Sequence, residues 1–326
     1  MTVVRSIVPA PSLVRPLLKW AGGKRQLLPK LREYYPAKYR RYIEPFFGSG
    51  AVFFDLYSAG ALSDRRALLV DDNADLIGCY RMLVDRTDEV IAALRALAQG
   101  HLLGGSPFYY DVRDRRFNPA RAAGGAYTPA LAAMLIYLNR TGFNGLFRVN
   151  RLGEFNVPAG RYANPRICDE DHLRAVAHAL RGRDVIVEHG SFDRAIAGAG
   201  RGDFVYCDPP YAPLSATSCF ANYTASGFTA HDQVRLQRAL IAAAGRGATI
   251  VLSNSSAPEI ERLYSTPEAQ HARLRIERVS ARRAINSRPG GRGPIVELVV
   301  TNAPREPRPR MLKATLRAKE PQIRRA

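Results

Sequence analysis

Acidic residues are scarce in this chain. Against 48 Lys+Arg, its 326 residues carry only 29 Asp+Glu, a net charge of +19, and the isoelectric point lies near 10.3. Cysteine is scarcer still. The four cysteines, at positions 79, 168, 207 and 219, form no C-x-x-C pair and have no histidine beside them at ligand spacing. That leaves no case for a disulfide framework or a metal site, and it predicts a reducing, cytoplasmic setting. No apolar run approaches the ~18 residues of a membrane span. Pro9 and Pro11 interrupt the short apolar start, so a secretory signal is not expected either.

What is present suffices for a core. Hydrophobic residues make up 46% and aromatics 9%, too many for a disordered chain. At ~100–200 residues per domain the length suggests about two. Residues 302–326 hold eight basic and two acidic side chains, which leaves the rest of the chain still at +13. The excess is therefore not only a tail. It calls for a polyanionic partner, with nucleic acid first.

Short β-branched or aromatic runs ending in turn or acidic residues read as seven buried strands, at 41–44, 67–71, 184–188, 203–207, 248–253, 273–279 and 295–301. Helical patterns lie between many of them, at 51–58, 74–84 and 232–244. Thr229 and Asp232 precede the last of these at capping-box spacing. Strands alternating with helices predict an α/β fold, a doubly wound and mostly parallel sheet. The final two strands are joined by about 15 Arg-, Pro- and Gly-rich residues, a connection that suits an antiparallel edge pair. Between about 76 and 180 the alternation stops. Helices are expected there at 88–97, 130–138 and 170–180, with loops at Gly104-Gly105 and from Arg121 to Gly125. The expected organisation is a catalytic domain from 1–75 and 181–302, an inserted helical domain from 76–180, and a disordered basic tail from 303–326.

Three features fall at the carboxyl ends of predicted strands, where open α/β sheets place their ligands. Glu44-Pro-Phe-Phe-Gly-Ser-Gly50 leads directly into a helix, so glycine backbone and free N–H groups can approach a ligand. Asp71 ends the next strand, 21 residues after Gly50, at the distance where an acid accepts hydrogen bonds from ribose hydroxyls. No third glycine completes a pyrophosphate grip, because Ala51, Val52 and Phe53 follow Gly50. A nucleoside-bearing ligand without a diphosphate fits better, and S-adenosylmethionine is the common one. The third feature is Asp208-Pro209-Pro210-Tyr211. Two prolines lock φ at ~−65° and cannot donate hydrogen bonds, so the chain leaves the sheet stiffly. The Asp208 carboxylate and Pro209 carbonyl then suit the two N–H donors of an exocyclic amine, and Tyr211 suits an aromatic ring.

The order of these segments resembles the Dam-type family of DNA adenine methyltransferases. Leu18-Lys-Trp-Ala-Gly-Gly-Lys24 resembles the family's first motif, and Tyr42-Ile-Glu-Pro-Phe-Phe-Gly-Ser-Gly50 its cofactor loop. Leu138-Asn-Arg-Thr-Gly-Phe-Asn-Gly-Leu-Phe-Arg148 with Gly153-Glu-Phe-Asn-Val-Pro158 resembles its target-recognition signature. Val205-Tyr-Cys-Asp-Pro-Pro-Tyr-Ala-Pro-Leu-Ser-Ala-Thr217 resembles its catalytic segment. Coverage is about 16–302, with roughly 85–130 poorly matched.

The resemblance implies a Rossmann-like methyltransferase sheet carrying an inserted DNA-recognition domain. It implies that Trp20, Lys24, Glu44, Phe47, Gly48, Gly50, Asp71 and Asp208 line an S-adenosyl-L-methionine pocket, and that Asp208, Pro209, Pro210 and Tyr211 hold the adenine. Its DNA-facing residues would be Lys19, Arg140, Phe143 as a wedge, Asn144 beside it, Leu146 on a thymine methyl, and Arg148 on a guanine, whose groove edge matches the guanidinium fork. Arg282, Arg283, Arg288 and Arg292 in the last connection are expected to touch phosphates. The implied partner is double-stranded DNA at GATC sites, met by a monomer, with or without a cognate restriction endonuclease. The implied reaction flips the adenine out of the duplex and transfers a methyl group directly to its amine. Cys207, inside a strand, is not expected to act as a nucleophile. Methylation of RNA or of a protein amide, and a non-catalytic DNA-binding relative, are the alternatives. A nicotinamide dehydrogenase is disfavoured by the missing glycine and the absence of a proton-relay histidine.

Overall fold

The computed structural model describes residues 13–20, 22–212, 227–282 and 294–304, and of residues 281, 282, 294 and 295 the backbone only. Arg283, Arg288, Arg292, the Arg282 side chain, Cys219, the continuation of the catalytic segment from 213 and the tail from 305 lie outside the described residues.

Seven strands form: β1 (Arg41–Glu44), β2 (Arg66–Asp71), β3 (Val185–His189), β4 (Asp203–Cys207), β5 (Thr249–Ser255), β6 (Arg275–Arg282) and β7 (Pro294–Thr301). They make one sheet in the order β3-β2-β1-β4-β5-β7-β6. The first five are mutually parallel, and β7 runs antiparallel to both β5 and β6. The expected seven-stranded, mostly parallel sheet is what forms, down to the antiparallel pair at the edge. Winding goes one way from β1 to β3 and the other way from β4 to β5, so the switch point lies between β1 and β4.

Alternation along the central strands feeds two cores. Tyr42, Phe204 and Tyr206 point to one face of the sheet, while Ile43, Val205 and Cys207 point to the other. Each fully buried apolar side chain of this kind contributes ~1.5–3 kcal/mol. On the first face lie α1 (Leu28–Leu31), α2 (Ala51–Ser58), α3 (Ala74–Asp85), α4 (Thr87–Tyr110), α5 (Asn118–Ala122), α6 (Pro129–Thr141) and α7 (Glu170–Leu180). On the second lie α8 (Phe192–Ala197), α9 (Ala230–Gly245), α10 (Pro258–Tyr264) and α11 (Pro267–His271). Helix α3 packs on β2 and β3 and also on α6, so the inserted helices share an apolar core with the sheet. Among the described residues no helix is long and apolar enough to cross a membrane.

Helix ends follow their capping residues. Asn73 and Thr128 accept from the backbone N–H three residues on, and Thr229 with Asp232 forms the expected capping box of α9. One boundary differs from expectation. Helix α4 does not end near Leu97 but continues, kinked, through Gly104-Gly105, then passes through a π-helical turn at Asp111–Phe117 into α5. Gly105 takes φ 51° and ψ −135°, which bends the axis. Gly100 and Gly104 make room for the Phe108 ring and its Cβ, which a Cβ at either glycine would meet at 2.3 and 2.8 Å. These glycines seat a side chain; they do not start a loop. The recognition signature also differs from an all-helical insert. After α6 it runs as a loose hairpin, bridged at Gly142–Ala159 and Val149–Phe155.

Candidate active site

The carboxyl ends of β1, β2 and β4 meet at the switch point and bring the three sequence features together. From β4 the chain turns into Asp208, whose Oδ1 lies 2.9 Å from the Lys24 ammonium. Lys24 comes from the N-terminal motif, is only 5% exposed, also donates to the Gly22 carbonyl at 2.6 Å, and lies 4.4 Å from the Tyr211 ring centroid. One cation thus touches both polar ends of the D-P-P-Y segment. Burial pushes the Asp208 carboxyl up to about 6, against the opposing pull of Lys24. Paired with one cation, the carboxylate still has lone pairs to accept from a substrate donor. Tyr211 donates its hydroxyl to Glu297 of β7 at 2.7 Å. Burial holds its phenol well above the ordinary range, and the neighbouring Asp208 and Glu297 charges add to this. Cys207 is fully buried, and burial pushes its thiol well up, so it stays protonated and inert.

The glycine loop is built by close approach. Gly50 adopts φ 69° as the N-cap of α2, where a Cβ would lie 2.5 Å from the Phe47 ring. At Gly48, φ is 48° and the Trp20 indole would sit 3.2 Å from an added Cβ. Asp71 clamps this loop to β2. Its Oδ2 accepts the Gly48 N–H at 2.8 Å and its Oδ1 accepts the Asn73 N–H at 2.9 Å. Burial raises its pKa to about 6, against those two N–H bonds. Each oxygen keeps a second lone pair for a ligand.

Two residues assigned to the cofactor pocket are placed elsewhere. Glu44 is buried beneath the loop, where it accepts the Tyr42 hydroxyl at 2.8 Å and the Phe53 backbone N–H. Burial pushes its carboxyl well above the usual range. Phe47 packs among Phe53, Phe54 and Tyr80 as a core ring. Both shape the loop from below and do not face its open side.

The recognition loop presents its residues in alternation. Phe143 is 49% exposed, Asn144 is exposed in a left-handed conformation (φ 54°), Leu146 is half-buried and Arg148 is exposed. Phe147, by contrast, is core and stacks on Trp20 at 5.5 Å and 24°. The Arg148 fork is held by Asn156, with Nε donating to the side-chain oxygen at 2.8 Å and a terminal nitrogen to the carbonyl at 3.2 Å. Lys19 reaches the Tyr162 hydroxyl at 3.4 Å and lies over its ring. Buried Asn139 ties this strand to the loop: it accepts the Lys19 N–H and donates to the Lys19 and Gly145 carbonyls, all within 2.9 Å. Arg140 is the exception. Its guanidinium turns inward and donates to the Leu17 carbonyl at 2.8 Å, and burial lowers its pKa. It supports the first motif from inside and does not join the exposed residues of the loop.

Residues 20–285 match the family described as D12 class N6 adenine-specific DNA methyltransferase. The chain belongs to that family. Among relatives of the D12 methyltransferase, a type II methyltransferase, M1.LlaDCHI of Lactococcus lactis subsp. cremoris, is 38% identical over 294 residues, covering 89% of this chain and 95% of the relative. The type II methyltransferase M.MjaIII of Methanocaldococcus jannaschii is 37% identical over 300 residues, covering 89% and 99%. A DNA adenine methylase of Escherichia coli strain K12 is 35% identical over 291 residues, covering 89% and 96%. Adenine-specific DNA methylation is therefore the activity of this enzyme.

Four residues of the D12 methyltransferase's catalytic corner escaped the sequence reading. Glu297 had a visible signal, a lone carboxylate within the apolar run 295–301. Gln233, Asn254 and Ser255 had none, since nothing local marks a buried amide or hydroxyl that fastens a loop some 20 to 45 residues away.

Proposed function

We propose that the enzyme methylates the exocyclic amine of adenine within GATC in duplex DNA, with S-adenosyl-L-methionine as donor and residues 76–180 as the target-recognition insert. The observation that carries the reading is the Lys24–Asp208 pair at the switch point, with the Pro209 carbonyl and the Tyr211 ring in the same turn.

The pocket fits that donor on its own features. Gly48 turns close against Trp20, with Asp71 one strand over, its spare lone pairs suited to ribose hydroxyls. When bound there, S-adenosyl-L-methionine supplies an electrophilic methyl group on a sulfonium. Trp20, Gly48, Gly50 and Asp71 would hold it.

The rest is the work of this chain's residues. The amine of a stacked adenine is a poor nucleophile because its lone pair is delocalised into the ring. Flipping the base costs a few kcal/mol, and stacking on Tyr211 returns ~1–3 kcal/mol. The Asp208 carboxylate and the Pro209 carbonyl accept the two amine hydrogens and turn the lone pair out of the ring plane. As positive charge develops on nitrogen, the Asp208 carboxylate stabilises it more than it stabilises the neutral base, and the methylated nitrogen then gives up one of its two hydrogens as a proton to solvent. Lys24 holds that carboxylate in place and keeps it ionised at neutral pH. Phe143 and Asn144 support the opened duplex, Leu146 packs on a thymine methyl, Arg148 reads a guanine and Lys19 reaches another base. Arg282 and Arg283 would contact phosphates.

Methylation-aware sequencing of DNA from cells expressing the protein tests the whole reading. N6-methyladenine confined to GATC is the expected outcome. Methylation in another motif would overturn the specificity, and unmodified adenine throughout would overturn the assignment.

A further inference from the structure

Pro209 and Pro210 have no N–H, so the middle of the turn after β4 can be fastened only through its carbonyls and through the side chains beside it. Three elements do so. Gln233, in the first turn of α9, donates from Nε2 to the Pro210 carbonyl at 3.0 Å. Ser255, at the end of β5, donates its hydroxyl to the Ala212 carbonyl at 2.8 Å. Glu297 accepts the Tyr211 hydroxyl. Behind Gln233 stands Asn254, whose Nδ2 donates to Gln233 Oε1 at 3.1 Å and whose Oδ1 accepts the Ser255 N–H at 2.8 Å.

The direction of this chain is settled by its ends. The Ser255 N–H can only donate and the Pro210 carbonyl can only accept, so neither amide can be flipped without breaking the whole series. Both amides are buried, Gln233 at 4% exposure and Asn254 at 0%, where water cannot replace a lost bond.

We propose that Gln233 and Asn254 are positioning residues for methyl transfer, a buried amide relay that fixes the direction of the Pro209 carbonyl. The proposal rests on the adenine-amine reading above. Ring closure locks φ of Pro210, and the bond from Gln233 holds its ψ. The peptide plane carrying the Pro209 carbonyl is then set. The two acceptors for the amine are thus fixed by separate devices, Asp208 by Lys24 and Pro209 by the relay. Losing the relay leaves binding intact and misaims one acceptor.

Two variants test this, measured as single-turnover methylation of a duplex alongside cofactor binding by calorimetry, duplex binding and thermal unfolding. Gln233→Met is expected to slow methyl transfer about 10²-fold, the scale of a 1 Å misplacement, with both affinities within about twofold of wild type. Gln233→Glu separates positioning from mere folding. Ionised, the new carboxyl cannot donate to Pro210; protonated, it can. Its rate relative to wild type at the same pH is therefore expected to rise as pH falls from 8 to 6. Taking the ratio removes the titration of the groups around it, Asp208, Tyr211 and Glu297 across the turn and Asp232 and Arg235 on its own helix. A wild-type rate in Gln233→Met overturns the proposal. So does a pH-independent ratio in Gln233→Glu, whether or not Gln233→Met folds. Wild-type protein that methylates no duplex would instead overturn the functional reading beneath it.

Discussion

The Asp208–Ala212 turn and the Phe143–Arg148 loop, both proposed to meet the duplex, are built in opposite ways. Asp208 to Ala212 is held at nearly every polar atom that has a use, by Lys24, Gln233, Ser255 and Glu297, from four separate elements of the chain. Phe143 to Arg148 is anchored at its base through Asn139 and the Phe147–Trp20 stack and along one side by Pro158 and Asn156, and it leaves the Phe143 and Asn144 side chains exposed. The contrast follows from what each must do. A charge of one unit developing on one nitrogen is stabilised only by acceptors already in place. A duplex has to be admitted, tested and released, which favours side chains that stand free until base edges arrive.

The sharpest way to break this comparison is Asp208→Ala. Methyl transfer is expected to fall at least ~10³-fold while cofactor and duplex affinity survive, and a near-normal rate in a properly folded preparation would remove Asp208 from the centre. Arg148→Ala should act on the other region alone. Discrimination at one guanine should relax by ~1–3 kcal/mol, read by competition between GATC and singly altered duplexes, whereas equal weakening on every duplex would make Arg148 a phosphate contact.

A third comparison uses pH. Asp208 and Asp71 both titrate near 6, and each works as an anion, so activity is present above that value and lost below it. Turnover at saturating cofactor should drop about tenfold per pH unit below 6, and cofactor affinity should weaken over the same range. A flat profile down to pH 5 would place both carboxyls in a different protonation state. The smallest effect belongs to Thr229→Ala, which opens the capping box of α9. It should cost ~0.5–2 kcal/mol in denaturant unfolding and leave the choice among duplexes unchanged.

Strands, their parallel order and the D-P-P-Y turn were legible because each is written in contiguous residues: branched or aromatic runs, an acid or glycine at the strand end, two prolines. The loop residues Gly48 and Gly50 were legible for the same reason. The inward placement of Glu44, Phe47 and Arg140 was not legible because a motif does not say which side of the backbone a residue faces. Burial sends all three inward. Phe143 and Phe147, four residues apart in one signature, look alike in sequence, yet one is exposed and the other stacks on Trp20. Helix α4 outruns its expected end because Gly104-Gly105 reads as a loop, whereas Gly104 is a recess for Phe108 and Gly105 a kink within the helix. Gln233 and Asn254 were invisible, since their partners are set by sheet order alone.

Strand β7 enters the sheet between β5 and β6, and β6 has no other neighbour there. The stretch 294–301 therefore does two jobs at once, roofing an otherwise bare strand and delivering Glu297 to Tyr211. A chain cut before residue 294 would lose both the partner of β6 and the acceptor for the Tyr211 hydroxyl.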